Sequence, residues 1–339
     1  MRAAVFRDAA IEVAEVAEPV PGDGQVLVRT LACGICGSDL HAAKHAPRMA
    51  ATARRMPGRV PMDLSRDIVF GHEFCCEVLD YGPRTARRLK PGTRVCAMPL
   101  MPTPAGPRGI GYSNEFSGGY AERMLLAESL LLEVPNGLPT EHAALTEPLA
   151  VGLHAVAKAR LSGDEAPAVI GCGPVGLAVV VGLREQGFRD IAVSDFSPKR
   201  RELALHLGAT RAIDPAREDV FAGWAETRRA AVFECVGVPG MLQGLFERAP
   251  RDARVIVAGV CMEPDTIEPL FAIYKELELQ FVLGYTPDEF ARALRLLAEG
   301  KVDGGALITG KVGLAGVAQA FEDLANPERH TKILVEPWR

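Results

Sequence analysis

A glycine-rich loop between an apolar strand and an apolar helix is the feature that most constrains the fold of this chain. The run Ala168-Val169-Ile170 leads into Gly171-Cys172-Gly173-Pro174-Val175-Gly176, and an apolar helix follows. Gly171 allows a tight turn, Gly173 lets a pyrophosphate approach the backbone, and Gly176 lets the helix pack closely on the strand. The N–H groups and positive dipole end of the helix then face the phosphates. The loop therefore predicts a dinucleotide site.

The residues around this loop alternate between apolar strands and helices from Ala166 onward. Short connections between apolar strands and helices predict a parallel sheet that is covered on both faces. Asp195 stands at the end of the second strand, where an acid accepts hydrogen bonds from the adenosine ribose and repels a 2′-phosphate. Asp195 therefore favours NAD over NADP, although Lys199 and Arg200 nearby weaken the argument.

Potential metal ligands are concentrated in two short stretches of the N-terminal part. The first is the turn-rich segment Cys33-Gly-Ile-Cys-Gly-Ser-Asp-Leu-His41, and the second is Gly71-His72-Glu73. Cys, His and Glu are ligand types that zinc takes, and three protein ligands leave a fourth position open for substrate. Cys36, His72 and Glu73 are therefore candidate zinc ligands.

Other interpretations of the same cysteines remain open on the residues alone. Cys33 and Cys36 form a Cys-x-x-Cys pair, which also occurs in redox motifs and in zinc ribbons. A ribbon needs a second pair, which the chain lacks, and the flanks of the first pair resemble strands rather than a redox helix. A buried thiol without a role is a further alternative.

The first 135 residues are predicted to be all-β, with irregular excursions. The longest excursion, 42–67, is an arginine-rich connection that either forms a basic rim favouring an anionic substrate or is a solvated surface loop. Glu147 follows in an apolar helical stretch and needs a partner if it is buried. A metal, a cation, or the free N–H groups at a helix start could provide it.

Composition excludes several classes of protein. The 339 residues carry a net charge of −5, which does not favour binding to nucleic acid or to anionic lipid. No apolar run is long enough for a membrane span, and the start has no apolar signal core. The eight scattered cysteines favour a reducing cytoplasm over a disulfide framework.

Taken together, these motifs resemble the zinc-dependent medium-chain dehydrogenase/reductase family, which includes alcohol, sorbitol, butanediol and threonine dehydrogenases. Further marks are Gly118-Gly119-Tyr120-Ala121-Glu122, the run from Glu147 to Val151, and the closing Lys332-Ile333-Leu334-Val335. The resemblance covers almost the whole chain. It implies a GroES-like β-barrel catalytic domain plus a Rossmann doubly wound parallel sheet. The expected domains are 1–149 and 288–339 for the catalytic part and 150–287 for the Rossmann part.

The resemblance also implies roles for individual residues. Cys36 and His72 correspond to catalytic zinc ligands, and Glu73 and Glu147 correspond to acidic members of the site. Which of the two carboxylates binds zinc in a given state stays open. Ser38 corresponds to the hydroxyl that takes the substrate's proton, His41 to the relay imidazole, and Asp39 to the acid that holds His72. The expected cofactor contacts are Val151, Gly171, Gly173, Pro174, Val175, Gly176, Asp195, Arg200 and Val236.

The expected function is hydride transfer between a secondary alcohol or vicinal diol and NAD. One catalytic zinc per chain is expected, without a structural zinc, because 101–116 contains no cysteine. A small-molecule alcohol or ketone is the expected partner, and relatives imply a homodimer or homotetramer. Two alternatives are a zinc-free quinone or enoyl reductase of the same superfamily and a non-catalytic NAD-binding sensor.

Overall fold

The computed structural model describes residues 1–224 and 228–339, and these residues form two compact units. Unit 1 consists of Met1–Glu147 and Phe290–Arg339, and unit 2 of Pro148–Glu289. The domain boundaries predicted from the sequence, after residues 149 and 287, remain a prediction beside this division. Among the described residues, no helix is both long and apolar enough to cross a membrane.

The N-terminal segment of unit 1 is rich in short strands. Its strands are β1 (Arg2–Arg7), β2 (Ala10–Glu15), β3 (Gln25–Gly34), β4 (Glu73–Tyr81), β5 (Arg94–Ala97), β6 (Leu100–Met101), β7 (Arg108–Gly109), β8 (Arg123–Ala127) and β9 (Leu131–Glu133). Its helices are α1 (Gly37–Lys44), α2 (Ala46–Arg55), α3 (Thr140–Ala143) and α4 (Thr146–Ala159), the last of which continues into unit 2.

Helices α1 and α2 correct two predictions made from the sequence. The segment 33–41 is not a simple turn, because β3 ends at Gly34 and α1 begins at Gly37. The connection 42–67 was expected to be irregular, yet α2 occupies Ala46–Arg55. Pro47 lies in the first turn of α2, where its missing N–H costs nothing. The alanines of α2 supply helix propensity without an obvious apolar stripe.

Unit 2 is a parallel sheet with intervening helices. Its elements are β10 (Ala166–Ile170), α5 (Pro174–Glu185), β11 (Ala192–Ser194), α6 (Pro198–His206), β12 (Arg211–Ile213), β13 (Ala230–Glu234), α7 (Met241–Arg248), β14 (Arg254–Val257), α8 (Pro269–Tyr274) and β15 (Glu278–Phe281). The strand order is β12-β11-β10-β13-β14-β15, and every pairing is parallel. The order reverses at β10, so the glycine loop after β10 lies where a doubly wound sheet binds its ligand.

The C-terminal segment returns to unit 1 and completes its sheet. It comprises α9 (Pro287–Ala298), which begins at the end of unit 2, then α10 (Gly304–Leu307), β16 (Gly310–Val312), α11 (Val317–Leu324) and β17 (Ile333–Val335). The sheet runs in the order β16-β17-β3-β4-β5-β9, and β8 also pairs with β3. β17 is antiparallel to β3, with Leu334 opposite Gly34, so Lys332 approaches the end of β3.

Candidate metal centre and dinucleotide loop

Three potential metal ligands from the N-terminal segment meet in unit 1. Cys36 is the residue before α1, and His72 and Glu73 stand at the start of β4. One ligand atom from each lies within 4.8 Å of the others. Zinc binds sulfur, nitrogen and oxygen at about 2.0–2.3 Å in a tetrahedral arrangement, so its ligand atoms lie roughly 3.3–3.8 Å apart. The donor set and spacing therefore fit a zinc ion after a small adjustment.

Asp39 organises the groups around this cluster. The carboxylate is fully buried, and its Oδ1 lies 3.2 Å from His72 Nδ1, with the imidazole off the ideal hydrogen-bond direction. Its Oδ2 accepts a hydrogen bond from the Cys36 backbone N–H at 3.1 Å. Because Nδ1 of His72 faces a carboxylate, Nε2 is the nitrogen left for a metal. Such a carboxylate fixes the orientation of a ligating histidine.

Asp39 and His72 stabilise each other's charged form. Burial favours a raised pKa for Asp39, but the His72 charge and the hydroxyls of Tyr120 and Tyr112 lower that pKa below its ordinary value. Burial favours a lowered pKa for His72, but Asp39 and Cys36 raise that pKa well above its ordinary value. In both residues the specific partners outweigh desolvation.

Glu73 is held by a buried lysine from the C-terminal segment. Lys332 Nζ donates to Glu73 Oε2 at 2.6 Å, to Glu73 Oε1 at 2.8 Å and to the Ile35 carbonyl oxygen at 3.0 Å. The lysine is 1% exposed and the glutamate 0%. All three ammonium protons therefore have acceptors, and the Glu73 carboxylate is neutralised without a metal.

Glu147 lies within electrostatic reach of the same lysine. Burial favours a lowered pKa for Lys332, but the charges of Glu73, Cys36 and Glu147 raise it above the ordinary lysine value. Glu147 is buried in the first turn of α4. Glu73 is the acid that lies within 4.8 Å of Cys36 and His72, and Lys332 already binds its carboxylate. The choice between Glu73 and Glu147 as third ligand stays open.

The redox alternative for Cys33 and Cys36 does not fit the structure. Cys33 is fully buried in β3, and burial raises the pKa of its thiol well above the ordinary value. A reactive thiol needs a lowered pKa and access to solvent. In the described residues both cysteines are free. Cys33 is thus a packing residue, whereas Cys36 remains a candidate ligand.

Ser38 contacts a residue that the sequence did not single out. Its Oγ lies 2.8 Å from the hydroxyl of Tyr112, which donates to Asp39 Oδ1 at 2.7 Å. The rings of Tyr112 and His72 are also in contact, with centroids 5.3 Å apart. His41 lies on the same helix as Ser38, and its ring stacks with that of His45 at 6.4 Å. Ser38 and His72 are therefore linked through Tyr112 and Asp39.

In unit 2, the loop after β10 has the geometry of a phosphate cradle. Gly171 adopts φ = 91°, which side chains rarely tolerate, and a Cβ at Gly176 would overlap the Gly171 carbonyl oxygen. Gly173 is the N-cap of α5 and makes no side-chain cap bond, and Pro174 and Val175 open the helix. The loop thus presents backbone N–H groups at the end of a twelve-residue helix.

The side chains around this loop also suit a dinucleotide. Asp195 Oδ2 accepts from the Cys172 N–H at 2.7 Å, which fixes the acid beside the loop while lone pairs remain for a ribose. The guanidinium of Arg200 approaches Gly173, and its buried Nε has no hydrogen-bond partner among the described residues. Val236 lies against Gly171. These features fit a bound anionic cofactor.

Comparison with known families decides the identity of the fold. Residues 22–136 match the alcohol dehydrogenase GroES-like domain, and residues 174–299 match the zinc-binding dehydrogenase domain. The chain is also 31% identical to (R,R)-butanediol dehydrogenase of Bacillus subtilis over 343 residues, or 96% of each chain. The chain belongs to the zinc-dependent medium-chain dehydrogenase/reductase family. The predicted GroES-like barrel and Rossmann sheet are therefore confirmed.

Other comparisons agree with this medium-chain dehydrogenase assignment. The solved structure of the Bacillus subtilis butanediol dehydrogenase superposes with a TM-score of 0.83 over 99% of both chains. L-galactonate-5-dehydrogenase of Escherichia coli is 28% identical, over 90% of this chain and 89% of its own. A putative zinc-binding dehydrogenase from Sinorhizobium meliloti, solved with NADP, is 28% identical, with a TM-score of 0.81 over 99% of both chains.

This medium-chain dehydrogenase is therefore a zinc-dependent oxidoreductase that acts on alcohols with NAD(P). The predictions of the family, the reaction class, zinc and a nicotinamide dinucleotide are confirmed by the matched domains and relatives. The preference for NAD over NADP stays a prediction. Neither the zinc-free reductase nor the non-catalytic sensor finds support in these relatives. The roles of individual site residues stay predictions.

Three residues that contact the candidate site were missed in the sequence. Lys332 was noted only as part of a closing motif, although a lysine at the head of an apolar strand predicts a buried partner. Tyr120 was quoted within a motif without a role, yet its hydroxyl donates to Asp39 Oδ2 at 2.7 Å. Tyr112 lies in a loop without periodicity, so no local signal pointed to it.

Proposed function

We propose that this dehydrogenase oxidises a secondary alcohol, or one hydroxyl of a vicinal diol, to a ketone with NAD. Cys36 and His72 hold the zinc, and Glu73 or Glu147 supplies the carboxylate. The meeting of Cys36, His72 and Glu73 within 4.8 Å is the observation that carries the proposal. The Ser38 hydroxyl next to this cluster, two hydrogen bonds from Asp39, supports the same site.

When bound, zinc would supply Lewis-acid activation of the substrate hydroxyl, and the nicotinamide would supply the hydride acceptor. Ser38 accepts the substrate's proton, and His41 passes a proton towards solvent. Asp39 keeps the His72 ring oriented, and Lys332 offsets the negative charge that Glu73 adds to a buried site. In unit 2, the α5 N-terminus, Pro174 and Val175 hold the pyrophosphate.

The ligand roles are tested by metal content and turnover measured together. We expect Cys36→Ser and His72→Ala to lose bound zinc and to reduce alcohol-dependent NADH formation to background. Cys261→Ser is the matched control, because Cys261 is an exposed free thiol in unit 2, so this variant keeps both properties. Normal turnover by a zinc-free Cys36→Ser protein would refute the ligand role. Glu73→Gln and Glu147→Gln, compared in the same way, assign the third ligand.

The substrate is proposed from the relatives and from charge. The butanediol and galactonate dehydrogenases point to a vicinal diol or a sugar acid, and the exposed arginines of α2 favour the acidic group. Pocket shape decides among such alcohols, because the zinc chemistry is common to all of them. A panel of diols, secondary alcohols and hydroxy acids, run on protein of verified zinc content, tests this assignment.

We also infer that the protein is a homodimer or homotetramer. β15 pairs with β14 on one side, and in the described chain no strand pairs with its other edge. Phe281 is 62% exposed on this strand, and Leu283 just beyond it is 74% exposed. An open apolar edge is a surface that proteins normally cover. Phe281→Lys should lower the mass measured by light scattering, and an unchanged mass would contradict this interface.

A cytoplasmic location is part of the proposal as well. The cysteines are free throughout the described residues, and several are fully buried, such as Cys75, Cys76 and Cys96. A reducing compartment keeps such thiols unpaired. Fractionation of cells that produce the protein tests the location, and recovery outside the cytoplasm would contradict it.

A further inference from the structure

Tyr112 is the described residue that connects the proposed proton acceptor to the proposed metal centre. Its hydroxyl lies 2.8 Å from Ser38 Oγ and 2.7 Å from Asp39 Oδ1, and its ring contacts His72 at 5.3 Å between centroids. The same carboxylate, Asp39, lies 3.2 Å from His72 Nδ1. The Tyr112 hydroxyl therefore connects Ser38 to Asp39, the carboxylate that faces His72.

The directions of these hydrogen bonds follow from donor counting. A tyrosine hydroxyl carries one hydrogen, and an ionised carboxylate can only accept. Both oxygens of Asp39 face donors, because Oδ2 accepts from the Cys36 backbone N–H at 3.1 Å and from the Tyr120 hydroxyl at 2.7 Å, and Oδ1 lies 2.7 Å from the Tyr112 hydroxyl. Tyr112 therefore donates to Asp39, and Ser38 must be the donor in its contact with Tyr112. With its hydrogen committed to Tyr112, Ser38 Oγ presents its lone pairs to any other hydroxyl that approaches.

The loop that carries Tyr112 is held in place by its own contacts. The Gly111 N–H donates to the Phe116 carbonyl oxygen at 3.2 Å, and Ile110 is buried next to it. Asn114 fastens the far side of the loop, where its Oδ1 accepts from the Asp63 N–H at 2.8 Å. The tyrosine hydroxyl is thus preorganised and does not have to be recruited by substrate.

We propose that Tyr112 is a positioning residue that acts through Ser38, by holding the serine hydroxyl as an acceptor that faces the substrate's O–H. This inference rests on the proposed role of Ser38 in proton transfer. Tyr112 does not contact the reacting atoms in this scheme. When Ser38 takes the substrate's proton, it releases its own hydrogen to the path through His41, so Tyr112 holds the acceptor and carries no proton away. Its role also differs from that of Tyr120, which donates to the same Asp39 at 2.7 Å with the Gly34 carbonyl as its other partner.

The two tyrosines therefore provide a matched pair of variants. Tyr112→Phe and Tyr120→Phe each remove one donor from Asp39 and keep the ring, but only the first also releases Ser38. We expect changes in zinc affinity of the same order for both variants in a chelator competition assay, because each removes one donor from the carboxylate that faces His72. In zinc-loaded protein, we expect kcat to be about ten-fold lower for Tyr112→Phe than for Tyr120→Phe, with the KM for NAD unchanged.

A double-mutant cycle with Ser38→Ala tests the path of the effect. Ser38→Ala should lower kcat by about a hundred-fold, and adding Tyr112→Phe should change it by less than about two-fold. Adding Tyr120→Phe instead should multiply the two single effects. Zinc content and circular dichroism confirm that each variant is loaded and folded. A larger primary isotope effect with deuterated alcohol in Tyr112→Phe is expected, because the chemical step is the one slowed.

The outcomes separate this inference from the proposed function. If Ser38→Ala turns over normally, the role of Ser38 is wrong and the inference falls with it. If Ser38→Ala is impaired but Tyr112→Phe is not, the proposed function stands and the inference is overturned. Multiplicative effects of Ser38→Ala and Tyr112→Phe would also overturn it. Should Tyr112→Phe fail to fold, a fluorinated tyrosine is incorporated at position 112. Its hydroxyl still donates to Asp39 but is a weaker acceptor for Ser38, so kcat should fall while zinc affinity is kept, and an unchanged kcat would overturn the inference.

Discussion

Replacing Lys332 by methionine is expected to destabilise the protein strongly, because it leaves a carboxylate buried without a counter-charge. Lys332 Nζ contacts both oxygens of Glu73, at 2.6 and 2.8 Å, and neither side chain reaches solvent to an appreciable extent. Methionine has a similar length and no charge, so packing is largely kept. What is lost is the neutralisation of Glu73 and three hydrogen bonds.

The magnitude follows from the burial of this ion pair. Removing one partner of a buried, hydrogen-bonded pair costs about 3–5 kcal/mol. Replacing both charges removes the orphaned carboxylate, so the double variant Lys332→Met/Glu73→Gln should cost only about 1–2 kcal/mol. Lys311 gives the matched control, since it pairs with Glu141 at 3.2 Å and is only half-buried. Lys311→Met should cost at most about 1 kcal/mol.

The assay is urea unfolding of EDTA-treated protein, followed by circular dichroism. The expected order of stability is wild type, Lys311→Met, the double variant and finally Lys332→Met. The reasoning would be wrong if Lys332→Met cost no more than Lys311→Met. It would also be wrong if the double variant were as unstable as the single one, because the loss would then come from packing rather than charge.

Three further predictions concern the cofactor, pH and the substrate. Asp195→Gly should raise the preference for NADP⁺ over NAD⁺ in kcat/KM by about ten-fold, since it removes the charge that opposes a 2′-phosphate; no shift would show that Asp195 does not discriminate. Glu165 accepts N–H bonds from its own loop, and although burial opposes ionisation these bonds lower its pKa. The stabilisation by Glu165 is thus present above the ordinary glutamate pKa of 4.5, and it is lost as the pH falls through the lower pKa of the folded state. Glu165→Gln should therefore lower the free energy of unfolding by about 1–2 kcal/mol at about pH 7 and by little in acid, as measured by urea unfolding. Neutralising Arg54, Arg55 and Arg59 should raise the KM of a hydroxy acid only, and an equal rise for a neutral diol would contradict a charge effect.

The Rossmann part could be predicted from local patterns because its signals are local. β10, the glycine loop and α5 follow one another along the chain, and each has the composition of its element. Helix α2 could not be predicted in the same way. It carries Pro47 and mixes four alanines with three arginines, so neither a stop signal nor an obvious apolar stripe marked it as a helix. Its position is decided by the burial of Ala46 and Ala50, of which Ala46 belongs to the hydrophobic core of unit 1.

Only the metal ligands of the candidate site could be predicted from the sequence, because they belong to characteristic residue types. Cys36 and His72 stand in short motifs of metal-ligand residue types, which indicate metal binding when they are taken together. The groups that orient and neutralise them come from distant segments and are common residue types. Tyr112 follows a two-residue strand, and Lys332 heads the strand that closes the sheet. Their roles depend on tertiary contacts, which periodicity and spacing do not encode.

The pairing of Glu73 with Lys332 has a consequence for synthesis of the protein on the ribosome. The two residues are separated by 259 positions. At translation rates of about 5–20 residues per second, Lys332 is therefore synthesised roughly 13–52 s after Glu73. During that interval, the nascent GroES-like segment contains a carboxylate that is buried in the folded protein but does not yet have its counter-charge. Early folding of this segment is therefore disfavoured until β17 arrives, and newly made chains depend on solvent, or on a metal ion captured early, to satisfy the acid.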